Sequence, residues 1–384
     1  MQRIYLDHNA TTPVDPEVLE AMLPLLQDAF GNPSSVHWYG QRARAALDEA
    51  RGHVAELVAA SPAEIVFTGS GTEADNMALR GVAAMAAGDR RGIVHTAIEH
   101  HAVLHTARAL TEEGWPVQVA RVGPDGRLDL DDLRAKVDER TAIVSVMLAN
   151  NETGIIQPVA EVARLAHEKG ALVHCDAVQA AGKVPVDVRA LDVDLLALSA
   201  HKIYGPKGVG ALYVKRGARL KPLLRGGSQE RNRRAGTETV PGIAGLGAAA
   251  RLARARLSSE PVRLSALRDR LEEALLAIPG ARRNGEGPRV PNTANVSFEG
   301  IEAESLLMAL DLAGVAVSTG AACAAGAVEP SHVLRAMGLA PERVQGSVRF
   351  SLGRSNTAQQ VDDAVAAVAA AVEKQRAMSR AAKR

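Results

Sequence analysis

Three short polar clusters interrupt apolar runs at points where side chains could do chemistry. Gly69-Ser70-Gly71-Thr72-Glu73 follows Ile65-Val66-Phe67-Thr68. Small residues let the backbone turn tightly there, and the free N–H groups that open the next helix can hold a phosphate. Asp176-Ala177-Val178-Gln179 follows the apolar run Ala171–Cys175. An aspartate at a strand end can hold a cation such as a protonated pyridine nitrogen. Ser199-Ala200-His201-Lys202 ends the run that begins at Leu195. A lysine kept beside another cation has a lowered pKa and can form a Schiff base. Taken singly, each cluster has a plain alternative: a strand-to-helix turn, a helix cap and an exposed lysine. Of the two cysteines, Cys175 ends a buried run, where a core thiol is the natural reading, and Cys323 lies among small residues.

Such groups need a frame to bring them together. Strands are expected at Ile65–Thr68, Gly92–Thr96, Ala142–Leu148, Ala171–Cys175, Leu195–Ser199 and Gly210–Lys215. Several are continuous apolar runs, as strands buried on both faces require. Helical patterns alternate with them, over about Thr72–Ala87, His101–Leu110 and Val159–Lys169. That alternation predicts an α/β fold with a mostly parallel sheet, whose C-terminal strand edge is where ligands bind. The pattern changes near residue 258. Beyond it, a long helical stretch, the strands Ala294–Phe298 and Ser347–Leu352, and a helix at Glu302–Leu312 read as a smaller α+β unit. The domains are therefore expected at 15–257 for the large unit, and at 1–14 with 258–384 for the small one. Residues 318–332, STGAACAAGAVEPSH, read as a loop.

Forty-five basic against 44 acidic residues leave a formal charge of +1, so neither nucleic acid nor an anionic membrane is expected as the main partner. No apolar run reaches signal-peptide or bilayer length, and two distant cysteines make no disulfide framework; a cytoplasmic protein is expected.

A phosphate-holding turn, a strand-end aspartate and a strand-end lysine, in that order, are the parts that a pyridoxal-phosphate (PLP) site requires. The chain resembles the cysteine desulfurases of the NifS/IscS type, within the aminotransferase-like PLP fold. The likeness runs through YLDHNATTP, FGNPSS, TGSGTEADN, EHHAVL, ANNETGIIQP, HCDAVQAAGK, SAHKIYGPKGVGALYV, RRAGTE, STGAACAAGAVEPSHVLRAMG and VRFSLGR. It implies that Lys202 binds PLP covalently, that Asp176 pairs with the pyridine nitrogen and that Gln179 lies beside the ring hydroxyl. Thr72, Ser199 and His201 would hold the phosphate with the Gly71 backbone, and Thr237 would reach the phosphate of a second subunit in a homodimer. His100 would stack on the ring and move protons, while Asn151 and Arg349 would hold the substrate carboxylate. Cys323 would be the nucleophile that takes sulfur from L-cysteine as a persulfide, leaving L-alanine, for an iron–sulfur scaffold or a tRNA-thiolation carrier. Alanine at 321, 322, 324 and 325 departs from the family's often serine-rich loop. A selenocysteine lyase, an aminotransferase and a non-catalytic scaffold for sulfur-handling proteins are the alternatives on one fold. His101 and His105 have the spacing of a metal pair, but no HExxH accompanies them, and no metal is expected.

Overall fold

The computed structural model describes residues 3–86, 88, 90–320 and 330–381, with the backbone alone at 323–324, 327–328 and 382. After a two-residue strand β1 (Ile4–Tyr5), the main sheet is made by β2 (Ile65–Thr68), β3 (Gly92–Thr96), β4 (Val117–Ala120), β5 (Thr141–Met147), β6 (Leu172–Asp176), β7 (Leu195–Ser199) and β8 (Gly210–Val214). Their spatial order is β2-β8-β7-β6-β5-β3-β4. Strand β8 runs antiparallel to both β7 and β2, and the other pairings are parallel. Two reversals cancel, so β2 points the same way as β6 and β7. The three polar clusters thus leave the sheet along one edge. Every residue of β5 and β7 is buried, which explains their largely apolar sequence.

Helices cover both faces. One core packs Leu47, Val54, Val144, Val173, Leu196 and Leu246, and another packs Met77, Leu79, Val103 and Leu212. The helix Gly71–Ala83 stops short of the expected Ala87, which lies outside the described residues. Its last buried residues are Val82 and Ala83, and Ala84 is exposed, so no apolar surface remains to hold a further turn.

A separate core joins Ile4 and Leu6 to Leu271, Val296, Phe298, Leu310, Phe350 and Val368. It lies between helices and a three-stranded sheet of β9 (Ala281–Arg283), β10 (Thr293–Phe298) and, beyond β11 (Val315–Ala316), β12 (Cys323–Ala324) and β13 (Ala327–Val328), the strand β14 (Ser347–Ser351); its order is β14-β10-β9. The chain start reaches this core by pairing β1 with β11. Strands β12 and β13 pair antiparallel inside the segment expected to be a loop. Two-residue strands are too short to leave a periodic signal in sequence.

Candidate active site

The end of β2 is shaped for close approach. Ser70 caps the helix Gly71–Ala83 by accepting from the Glu73 backbone N–H at 3.0 Å. Glu73 in turn accepts from the Gly69 N–H at 2.7 Å and pairs with Arg234 at 2.8 Å. A Cβ on Gly71 would lie 2.9 Å from Val178 Cγ2 and 3.3 Å from the Ser199 Cβ, so only glycine lets the three strand ends meet. A cavity of about 220 Å³ opens there, with Gly71, Thr72, His100, Asn151 and Ser199 in its lining. Asp75, Asp176, Gln179, His201 and Lys202 complete much of its wall.

Lys202 sits in a short 3-10 turn directly after β7. Its ammonium donates to the backbone carbonyls of Asn9 at 2.5 Å and Ala10 at 2.8 Å. Burial, with the Arg349 charge nearby, lowers its pKa to about 8, while Asp176 and Asp7 oppose that shift. Asp176 accepts from the Val178 N–H at 2.9 Å. Burial raises its carboxyl pKa to about 6. A carboxyl group held there fits a positively charged ring nitrogen, which would restore its anionic form. Behind it, burial and the charge of Asp176 hold the Asp75 carboxyl well above the usual range. Asp75 Oδ1 faces His174 Nε2 at 3.3 Å, too poorly aligned for a hydrogen bond, and His174 is pushed down to about 3 by burial. Cys175 is fully buried, and its thiol pKa is raised well above normal by that burial, so it is an inert core thiol.

His100 caps the helix His101–Glu112 through Nδ1, which accepts from the Ala102 N–H at 3.1 Å. An accepting Nδ1 leaves the neutral ring's proton on Nε2. Burial, then the charge of Lys202, lowers the His100 pKa to about 4. His201 is lowered to about 4 chiefly by burial, and its Nδ1 lies 3.1 Å from the Thr11 hydroxyl. Gln179 donates to the Asn9 carbonyl at 3.0 Å and accepts from Lys183 at 2.7 Å.

Arg349 is not an open fork. One terminal nitrogen pairs with Asp7 at 2.7 Å, the other donates to the Asn151 carbonyl at 2.9 Å, and Nε is buried without a partner. The Asn151 Oδ1 is likewise buried and unpartnered. Thr237 is exposed and outside the cavity lining. The side chain of Cys323 lies outside the described residues. Sequence reasoning about chemistry missed Asp7, Asn9 and Lys183, which contact Arg349, Lys202 and Gln179, and Asp75, which lies behind Asp176. The string LDHNATTP was visible, but nothing local showed that its carbonyls would reach across the molecule to Lys202. His101 lies 5.1 Å from His105 and 4.8 Å from His332 between ring centroids. Among the described residues no group of three or more His, Cys, Asp or Glu is placed to hold a metal ion.

An open α/β sheet that presents an anion-holding turn, a buried carboxyl and a depressed amine along one edge is the layout of a PLP-dependent enzyme. Residues 4–364 match the family described as Aminotransferase class-V. A cysteine desulfurase of Trichormus azollae is 49% identical over 381 residues, covering 99% of this chain and 95% of that protein. A solved NifS-like protein superposes with a TM-score of 0.92 at 40% identity, covering 97% of this chain and all of its own. The structure titled SspA in complex with cysteine gives a TM-score of 0.81 at 34% identity, over 91% and 98% of the two chains. The chain belongs to the class-V aminotransferase family and, within it, to the cysteine desulfurases. PLP is the cofactor of that family, and the glycine cradle, the Asp176 carboxyl and Lys202 fit it.

Proposed function

We propose that this chain takes sulfur from L-cysteine, leaving L-alanine and a persulfide on Cys323. The single observation that carries the reading is the convergence of Lys202, Asp176, His100 and the Gly71 turn on one cavity. Lys202 would hold PLP, Asp176 its pyridine nitrogen and Gln179 its ring hydroxyl. Gly71, Thr72, Ser199 and His201 would hold its phosphate. Bound there, PLP supplies an electron sink that makes the substrate Cα–H acidic.

The protein's own groups do the rest. Arg349 and Asn151 take the substrate carboxylate, which replaces Asp7 on the guanidinium in a charge-assisted pair. Lys202 Nζ, with a pKa near 8, takes the Cα proton as a base close to working pH. The Cys323 thiolate attacks the substrate sulfur; an S–S bond forms and the C–S bond breaks. The carbon keeps that electron pair, receives a proton from solvent relayed by His100, whose Nδ1 takes up one proton as the Nε2–H is given, and becomes the alanine methyl group. Sulfur is oxidised and carbon reduced, so no outside reductant enters until the persulfide is passed on. An iron–sulfur scaffold or another sulfur-carrier protein is the acceptor in this reading, and cytoplasm the compartment. Among the described residues no helix is long and apolar enough to cross a membrane.

A homodimer completes the site in the same reading. Leu19, Leu23, Leu26, Phe30, Val36 and Trp38 are all exposed, between 42% and 89%, along the helix Pro16–Gln27, the loop after it and the start of the next helix. That is a large apolar surface for a chain standing alone. Thr237 is exposed, near a segment pinned by Arg234 to Glu73, and in this reading would serve a partner's phosphate site. The separate cores support domains at 15–257 and at 1–14 with 258–384.

The test is alanine and sulfide formed from L-cysteine with a reductant, wild type beside Cys323→Ala. Equal amounts of both from wild type, and neither from a variant that still holds PLP, are expected. A wild type that holds PLP and makes neither product refutes the reaction.

A further inference from the structure

The loop expected to carry the nucleophile is flanked by Gly320 on one side and Pro330–Ser331 on the other. Both stems meet one buried side chain, Glu152, which the reaction above does not use. The Ser331 hydroxyl donates to Glu152 Oε2 at 2.5 Å and also caps the following helix by accepting from the Leu334 N–H at 3.1 Å. Gly320 lies against the same side chain. A Cβ built on it would sit 3.0 Å from Glu152 Cγ and 3.3 Å from Cδ, and its φ of +84° is one that side chains rarely adopt. Glu152 itself is fixed from behind. Its backbone N–H donates to Asn150 at 2.9 Å, and its carbonyl accepts from Asn295 on β10 at 3.1 Å. It directly follows Asn151, and Ser318 on the outgoing stem exchanges backbone hydrogen bonds with Arg349. One carboxyl group therefore joins both ends of the segment to the proposed floor of the substrate site.

We propose that Glu152 is a positioning residue that clasps the outgoing stem at Gly320 and the returning stem at Ser331, and so sets where Cys323 can reach. Cys323 is three residues beyond Gly320, so at full extension its Cα can lie no farther than roughly 11 Å away. A displaced stem moves the thiol with it over that short lever. Burial raises the Glu152 pKa to about 7, as expected for a carboxyl group kept from water to make such contacts. The inference rests on Cys323 being the nucleophile.

The experiment compares PLP-loaded wild type with Glu152→Ala, Glu152→Gln and Ser331→Ala by three readouts. These are L-cysteine binding, followed by the change in cofactor absorbance; alanine formation in a single turnover; and the rate of alkylation by iodoacetamide. The last reports Cys323, because Cys175 is fully buried. For Glu152→Ala we expect cysteine binding as in wild type, alanine formation slower on the order of tenfold, the scale of a misplaced reacting group, and a changed alkylation rate. Glu152→Gln, which keeps an oxygen acceptor for Ser331, restores most of the loss. If Glu152→Ala does not fold, Ser331→Ala breaks the clasp from the loop side and carries the same expectation. Wild-type alanine formation in the Ala variants overturns the proposal, and so does a loss of cysteine binding in proportion to rate, which would assign Glu152 to the substrate floor. Should wild type form no alanine at all, the reaction itself fails. The alkylation rate then still decides the clasp, since an unchanged rate in Glu152→Ala overturns it.

Discussion

Lys202 and Glu99 show what burial does to groups of opposite charge. Lys202 loses water and gains carbonyl partners, and its pKa falls to about 8, in the range the proposed base requires. Glu99 is fully buried, accepts from Thr96 at 2.5 Å and the Met147 N–H at 3.0 Å, and keeps one oxygen without a partner. Burial raises its pKa to about 8. A carboxyl group raised in this way contributes stability that is fully present below its unfolded value near 4.5 and is lost as pH rises through about 8. Glu99→Gln removes that titration while keeping shape and an acceptor oxygen. Between pH 5 and pH 8.5 the variant should gain on wild type, on the order of a few kcal/mol, in denaturant unfolding followed across pH. An equal pH dependence in both proteins would mean that Glu99 is ionised in the fold. The candidate site residues were legible only in combination, because a glycine turn, a strand-end aspartate and a strand-end lysine each have a plain structural use alone and share a chemical one only together. Their protonation was not legible, because it depends on neighbours such as Asn9 and Asp7, which lie almost two hundred residues or more away in sequence.

At the scale of elements, two glycines inside helices make opposite predictions. Gly71 opens a helix where a Cβ would press Val178 and Ser199, so Gly71→Ala must push the helix start away from the strand edge. Retention of PLP on dialysis should fall at least severalfold, since the N–H groups proposed to hold its phosphate move with that turn. Gly52 lies within the helix Trp38–Leu57 and has nothing within 4 Å of its would-be Cβ. Gly52→Ala should therefore stabilise the protein by about 0.5–1 kcal/mol, seen as a raised Tm, with no change in PLP retention. The strands β3 and β7 stand where the sequence placed them, because each has an apolar body, Ile93–Val94 or Leu195–Leu198, that closes on polar residues at the sheet edge. Helix ends were less legible. The stop at Ala83 follows from where the neighbouring sheet ceases to offer apolar surface, which is a tertiary fact.

The whole molecule shows an apolar face that a monomer leaves in water. Phe30 is 68% and Leu26 58% exposed, on the surface that also carries Trp38. Charge placed there should split the proposed dimer. Leu26→Glu with Phe30→Glu is expected to sediment as a monomer and to lose PLP faster, as the proposed role of Thr237 in a partner's site requires. A monomeric wild type, or a double variant that stays dimeric, would count against this surface. The order of motifs along the chain was enough to determine the family and the α/β frame and to name candidate site residues, since apolar period and turn residues are local properties. Only the tertiary structure decided that β8 runs against its neighbours so that β2 shares their edge, that Asn9 holds Lys202, that Asp7 occupies Arg349, and that Glu152 receives both stems of the cysteine loop. Each of these is a contact between residues distant in sequence, and the energy that selects it appears only when the folded chain removes both partners from water.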